Sequence, residues 1–349
     1  MGAQKCVVIL GIKCTDICQD FCPSFDEAEV LVVKPLYNSP GEVINELLEE
    51  AVEVTKESPK AIISDQGSEN KKGVGIFVKK HSETTHVFDV SHKINICLKE
   101  ELSQDSVWLA FKEAVVASLQ HLKLSSISYL VPPRQRNKDR MHSAFYLIDW
   151  GIRLLQFFDS EKINDLTAAD RAKLEWIKQY QFSLPNYQYY KELCESALDL
   201  VHEKGYFLNA SQEFCKRVEY LSVAKKKDYR FINFKNKIKA ILQKEGEKIP
   251  YGAHYLGSSE ILESLFGKFK YIEDNQASSG LSSLVLSIPA LVGKLDESIV
   301  QGALETISCF DIDTWIDGNM GTTFLSKRRQ ALSRPFEEKH TTNLELCDL

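Results

Sequence analysis

The sequence predicts an α/β fold, a mixed sheet domain whose chain is interrupted by a large all-α insertion. In residues 1–102, short β-branched runs alternate with segments of helical period, an order typical of an α/β sheet. In residues 103–250, nearly every segment has the 3.6-residue period of an amphipathic helix. Further helices in residues 251–310 are expected to complete the sheet domain, and a polar tail occupies 311–349.

The elements of the opening part follow from local pattern. Runs such as CVVILGI and EVLVV are rich in Val and Ile, which favours strands, whereas apolar residues spaced three and four apart favour helices. Strands are predicted at 6–12, 29–33, 61–63 and 85–88, and helices at 41–57, 71–80 and 91–102.

The remaining elements are all predicted helices, separated by prolines. Breaks fall at Pro132-Pro133, Pro185 and Pro250, because proline ends or kinks a helix. Helices of the insertion are predicted at 107–122, 143–158, 168–182, 187–203, 211–221 and 230–243, and later ones at 255–270, 281–291 and 297–307.

The composition indicates a globular protein of the cytoplasm. The chain has 349 residues, 44% of them hydrophobic, and no stretch of eighteen consecutive apolar residues, so a membrane span is not expected. Nine cysteines, an odd number, fit reduced thiols in a cytosol. The net charge of −6 does not favour nucleic acid, but Lys225, Lys226 and Lys227 begin a basic stretch that extends to Lys239. Such a stretch is either a solvated helix face or a surface for phosphates.

Asp65 is the first candidate for a chemical role. It follows the short strand AII and precedes a glycine-containing loop, in the run ISDQGS. Ligands of open sheets collect beyond the carboxyl ends of the strands, where this carboxylate is expected to lie. The alternative is ordinary turn chemistry, since aspartate is common before a glycine-bearing loop.

A second group of candidates lies in the run SSEILESLFGKFK. Glu260 and Glu263 are three residues apart and share a helix face. Lys270, two turns beyond Glu263, lies on the same face, and Lys268 lies between Glu263 and Lys270 in the chain. A carboxylate followed by a lysine on the same face is typical of an enzyme in which the carboxylate holds a metal ion and the lysine binds phosphate. A plain amphipathic helix has the same pattern.

A third pair of candidates, Asp89 and His92, lies between a predicted strand and a predicted helix. The His92 side chain is a candidate metal ligand or base. The alternative is a structural role for His92 as a hydrogen-bonding residue at the start of a helix, one residue after a cap at Ser91.

Taken in order, these motifs resemble DNA transposases of the Asp-Asp-Glu type, whose RNase H-like core carries a large insertion. The matching features are Asp65 in ISDQGS, the Asp89-x-x-His92 motif, a long helical block and then Glu263-x6-Lys270. The resemblance is to the broad hAT-like group and to related insertion-sequence enzymes, and it covers most of the chain from Cys6 to Lys270.

The resemblance implies phosphodiester chemistry with two Mg²⁺ (or Mn²⁺) ions held by carboxylates. By that resemblance Asp65 and Glu263, with Glu260 as the alternative glutamate, are the catalytic acids, and Asp65 and Glu263 hold the metal. His92, Lys268, Lys270 and the basic stretch around Lys225, Lys226 and Lys227 contact DNA, and Asp89 has a supporting role. Transposon-end DNA is the expected partner, with a homo-oligomer in the intact family, no membrane, and a cytoplasmic location associated with the nucleoid.

One departure from the family pattern concerns its first strand, which carries the first catalytic aspartate. Here CVVILGI corresponds to the second strand and nothing corresponding to the first precedes it. We therefore expect a truncated copy that cleaves little or no DNA. Two other readings remain open: a structure-specific nuclease on the same core, and a non-catalytic helical interaction or regulatory protein. The last of these predicts that Asp65 and the Glu260/Glu263 helix lie far apart.

Overall fold

The computed structural model describes residues 5–13, 21–134, 140–225, 227–275, 283–293, 296–321, 327–328 and 331–332. The chain divides into two compact units. The first consists of residues 1–10, 29–39 and 265–349, and the second of residues 11–28 and 40–264.

Four strands form two separate pairs. β1 and β2 pair with each other, and β3 pairs in parallel with β4, with Ala61 opposite Thr85 and Ser64 opposite Phe88. The sequence predicts all four strands, but it predicts one mixed sheet. Within the described residues the strands form two sheets of two strands each, so an RNase H-like core is not shown. The strands are β1 Lys5–Ile12, β2 Ala28–Leu36, β3 Ala61–Ser64 and β4 Thr85–Phe88.

Helices account for most of the described structure, in agreement with the predicted all-α part. The α-helices are α1 Gly41–Thr55, α2 Ser68–Lys80, α3 Val90–Ser103, α4 Ser106–Lys123, α5 Arg140–Phe158, α6 Ala168–Leu174, α7 Leu184–Lys204, α8 Ala210–Arg217, α9 Glu219–Ala224, α10 Tyr229–Gly246, α11 Glu260–Asp274, α12 Glu297–Thr306 and α13 Cys309–Met320. Short 3-10 helices lie at Phe25–Glu27, Ser128–Leu130, Glu161–Asp165, Glu175–Tyr180, Ser283–Ser287 and Pro289–Leu291. No helix in the described part of the chain is long and apolar enough to cross a membrane.

In the second unit, α2 connects β3 to the parallel strand β4 and packs against α1. The contact between the two helices is close because Gly73 has no side chain. A Cβ at Gly73 would lie 2.5 Å from the Cβ of Ile44 and 2.6 Å from the carbonyl oxygen of Gly41. Close packing of this helix supports the β3–β4 pair, whose carboxyl ends carry the candidate site.

The core of the helical block is aromatic. Trp108 packs with Phe111 and edge-on against Tyr187, with ring centroids 5.7 and 5.0 Å apart. The indole N–H of Trp150 donates to the Leu130 carbonyl at 3.0 Å, and Trp176 packs 6.1 Å from the Trp150 ring. These tryptophans have packing roles, because each is surrounded by other core side chains.

Several predicted helices differ from the observed ones. The predicted helix 168–182 is α6 followed by a 3-10 segment, and the predicted helix 211–221 is divided into α8 and α9. The predicted helix 281–291 is wrong in its described part, which forms two short 3-10 helices. The helix predicted at 255–270 begins only at Glu260, and α13 was not predicted.

Candidate functional site

The candidate site lies at the carboxyl ends of β3 and β4. Because the two strands are parallel and in register, the residues that follow them, Asp65 and Asp89, leave the same end of the sheet. The main-chain N–H of Asp89 donates to the Ser64 carbonyl at 3.0 Å, which extends the pairing to this point. Two acids thus stand side by side in the register of the sheet.

Asp65 forms a turn. Its Oδ1 accepts hydrogen bonds from the Gly67 N–H at 2.9 Å and from the Asn70 side-chain amide at 2.8 Å. This is an Asx turn, in which a carboxylate replaces a backbone carbonyl and directs the chain into α2. The residue is exposed, so a carboxylate oxygen remains in contact with solvent.

Asp89 is buried, with 2% of its surface exposed, and both its carboxylate oxygens accept hydrogen bonds. Oδ1 accepts from the His92 main-chain N–H at 2.6 Å and so caps α3. Oδ2 accepts from the N–H and the hydroxyl of Ser259, at 2.5 and 2.7 Å, although the two residues are 170 positions apart. The adjacent Val90 N–H donates to the Gly257 carbonyl at 2.8 Å. These bonds hold the segment that leads into α11 at the end of β4.

Glu260, the first residue of α11, is brought to the same place. Its Oε1 accepts from the Ser91 hydroxyl at 3.0 Å and lies 3.3 Å from Nε2 of His202 on α7. The imidazole nitrogen is not aligned for a hydrogen bond, so we describe this contact as an ion pair. It lowers the pKa of Glu260 and raises the pKa of His202. The acid is therefore ionised at neutral pH and already engaged with helix α7.

The other residues predicted for the site are on or near the same elements. Glu263 lies one turn further along α11 and is exposed. Lys268 and Lys270 are exposed on the later part of α11, which belongs to the first unit. His92 contributes its main-chain N–H to the α3 cap, and its side chain is half-buried. The second unit thus brings Asp65, Asp89, His92 and the start of α11 to one end of the β3–β4 pair.

The predicted basic stretch is only partly available for DNA. The ammonium group of Lys225 lies 4.4 Å from the Tyr189 ring centroid and donates to the Asn186 side chain. Arg230 is paired with Glu101 at 2.9 Å and with Asp105 at 2.8 Å. Exposed positions in this stretch are Lys227, Lys237 and Lys239, and Lys226 lies outside the described residues.

A buried ionic cluster beside the site was not predicted. Glu245 of α10 is fully buried; its Oε1 accepts from Lys93 at 2.8 Å and its Oε2 accepts from Lys248 and from the Phe88 main-chain N–H. Both ammonium groups also lie over the Phe88 ring, 4.8 and 4.9 Å from its centroid. Burial raises the pKa of Glu245, but the bonds from Lys248 and Lys93 outweigh it and the pKa is lowered. The cluster joins α10 to the last residue of β4.

A sequence signal for this cluster does exist. Glu245 is three residues beyond Leu242 and seven beyond Ile238, so it falls on the apolar face of α10. An acid on an apolar face requires a buried partner, because an unpaired buried charge is costly. The partner, Lys93, lies 152 positions away from Glu245 in the chain. The sequence around Glu245 therefore does not indicate which residue pairs with it.

The acids as arranged do not fit a two-metal centre. Among the described residues no group of three or more His, Cys, Asp or Glu side chains is placed to hold a metal ion. Both oxygens of Asp89 and one oxygen of Asp65 already accept N–H or O–H bonds. A divalent cation would have to displace these donors, so no metal-dependent step is assigned to them.

No protein-family model matches the chain, and neither the curated proteins nor the solved structures contain a match to it.

Proposed function

We propose that the chain is a protein of the Asp-Asp-Glu transposase class that binds DNA at transposon ends and itself cleaves DNA little or not at all. The observation that supports the class is the pair of bonds between Asp89 and Ser259. They place the start of α11, which carries Glu260 and Glu263, at the end of β4, beside the end of β3 that Asp65 follows. The helical block lies between these elements in the chain.

This arrangement agrees with one structural requirement of the class. Acids from distant parts of the chain must converge beyond the carboxyl ends of sheet strands for two-metal chemistry. Asp65 and Glu260 leave elements that are joined directly through Asp89. The convergence supports descent from such an enzyme.

The bonding of the same acids supports weak or absent cleavage. Asp89 is needed as an acceptor by two helices, and Glu260 is engaged by Ser91 and His202. Ligation of a cation by either carboxylate would break contacts that hold α3 and α11. Both carboxylates are therefore poorly placed to hold a cation, which supports weak or absent cleavage.

The test uses the full chain, a supercoiled plasmid carrying the genomic flanks of the gene, and Mg²⁺ or Mn²⁺. We expect a gel shift of the flanking DNA without nicking of the plasmid. Robust nicking that is lost in Asp65→Ala but retained in Asp159→Ala, an exposed acid on a remote helix end, would refute weak cleavage while keeping the class. Failure to shift any DNA, with a folded protein, would refute the class.

A non-catalytic interaction protein is the second candidate, and one observation favours it. Asp89 and Glu245, the two most buried acids near the strand end, both join helices to β4. In such a protein the acids serve the fold alone. A folded chain that binds no DNA in the experiment above would favour this candidate.

A structure-specific nuclease would instead cut branched duplexes and leave products without strand transfer.

A further inference from the structure

The surface of α10 differs from that of every amphipathic helix around it, because it is polar without being acidic. Its inner face packs into the helical block through Phe231, Phe234, Ile238 and Leu242. The only acid in the helix, Glu245, is fully buried. All other charged side chains of α10 are Lys or Arg.

The centre of the exposed face consists of small and amide side chains. Asn233, Asn236 and Ala240 recur at intervals of three and four residues, and all are exposed. Positions with this spacing form a single stripe along a helix. Lys237 and Lys244, also exposed, follow the same stripe along one side. We call these five residues the amide–lysine face.

This pattern matches what a helix needs in order to read duplex DNA. An α-helix about 10–12 Å across fits the major groove, which is about 12 Å wide. Asparagine amides can donate to and accept from one adenine edge, and a small side chain such as that of Ala240 contacts the thymine methyl group. Lysines along one side of the face are placed for backbone phosphates, which position the helix without reading sequence.

Acids lie near both ends of α10, and those near its start form ion pairs with its basic side chains. Glu101 and Asp105 pair with Arg230 near the start of α10, and Glu101 lies 3.9 Å from Lys237. A groove of about 570 Å³ beside α10 is lined by Glu101, Arg230 and Lys237 and by Asn233 and Asn236. Within the described part of the chain, Lys244 has no acid at ion-pair distance. Lys244 therefore has no ion pair among the described residues, although the exposed Glu247 follows it by three residues.

We propose that the amide–lysine face of α10 enters the major groove of duplex DNA, with Asn233 and Asn236 contacting base edges and Lys237 and Lys244 contacting phosphates. The proposal rests on the proposed function for its partner and adds the element that reads sequence. The partner is B-form DNA, because the major groove of A-form RNA is too deep and narrow for side chains to read.

The experiment selects duplexes from a pool with a randomised centre, using the full chain. We expect a preferred sequence to emerge. The double variant Asn233→Ala/Asn236→Ala should lose that preference by at least about tenfold and keep its affinity for unselected duplex DNA. Alanine is the better helix former at both exposed positions, so the variant is expected to fold.

A second variant separates phosphate contacts from base contacts. Lys237→Ala/Lys244→Ala should weaken binding to all duplexes alike and reduce the slope of log affinity against log salt by about two. The matched control is Lys112→Ala/Lys123→Ala, two exposed lysines on α4, which should change neither quantity.

Each outcome decides one of the two proposals. A preferred sequence that survives Asn233→Ala/Asn236→Ala would refute the assignment of base contacts to α10 and leave DNA binding intact. Binding without any preferred sequence, or tighter binding to an RNA duplex of the same length, would also refute it. Absence of binding to every duplex by the parent chain would refute the proposed function as well.

Discussion

Asp89 is predicted to be among the most sensitive positions of the chain, because one buried carboxylate serves two distant helices. In Asp89→Ala, α3 loses its cap, a loss of about 0.5–2 kcal/mol in other helices. Ser259 loses its acceptor as well: its hydroxyl can rotate toward solvent, but its half-buried main-chain N–H is left without a partner, which costs roughly 1–2 kcal/mol. The free energy of unfolding should therefore fall by about 2–4 kcal/mol.

The assay is equilibrium unfolding in urea, followed by tryptophan fluorescence, to which the buried Trp108 and the half-buried Trp150 and Trp176 of the helical block contribute. Amide hydrogen exchange adds a local measurement, since the N–H groups of His92 and Ser259 should exchange faster in the variant. Asp89→Asn retains one acceptor oxygen, but its amide N–H groups face other donors. The free energy of unfolding should therefore fall about half as much as in Asp89→Ala.

The matched control is Asp65→Ala, which removes a carboxylate from the neighbouring strand end. Asp65 is exposed and bonds only within its own turn, so a change within about 1 kcal/mol is expected. Equal destabilisation by the two variants, or a loss below about 1 kcal/mol in Asp89→Ala, would refute the idea that Asp89 holds α3 and α11 together.

Three further predictions concern groups around the same strand end. Glu245→Ala leaves Lys93 buried without its acid. The free energy of unfolding, measured by urea titration, should therefore fall by about 3–5 kcal/mol. The pKa of His202 in the folded protein is raised mainly by Glu260. The stability that this pair contributes is therefore fully present below the ordinary histidine pKa of about 6.5. It is lost as the pH rises through the raised pKa of His202 in the folded protein. Unfolding measured across that window should show this loss in the parent but not in Glu260→Gln. Gly257→Ala should lower the thermal midpoint, because its Cβ would lie 2.4 Å from a Val201 methyl carbon.

Controls for these predictions come from the same chain. Lys93→Met together with Glu245→Leu should recover part of the stability lost in Glu245→Ala, since an apolar pair needs no ionic partner. Gly267→Ala lies within α11 with no atom within 4 Å of the added carbon, so it should be neutral or slightly stabilising. A pH profile unchanged by Glu260→Gln would show that the ion pair contributes nothing.

The features predicted correctly from the sequence are those with local causes. The strand before Asp65 and the turn after it follow from a short apolar run and a carboxylate two residues before a glycine. The start of α3 was predicted within one residue, but the cap expected at Ser91 is formed by Asp89. Such signals lie within one turn of backbone and can be recognised without knowing what packs nearby.

The features that were predicted wrongly or missed depend on distant partners. The helix expected from 255 begins only at Glu260, because Tyr255 pairs with Tyr206 and Gly257 accepts a hydrogen bond from Val90. The four strands lack any local sign of which strand pairs with which, and two pairs formed where one sheet was predicted. The Glu245 cluster is determined by residues more than 150 positions apart.

The β3–β4 pair has a consequence for synthesis of the chain on the ribosome. Parallel strands are normally covered on both sides, and here part of the cover for β4 comes from Glu245, 157 residues after the Phe88 N–H that it accepts from. At translation rates of about 5–20 residues per second, that acid is added about 8–30 seconds after the strand. During this interval the Phe88 N–H of the nascent strand pair lacks the acceptor that it has in the folded chain. Completion of this region is thus timed by translation of α10 and not by the formation of its own strands.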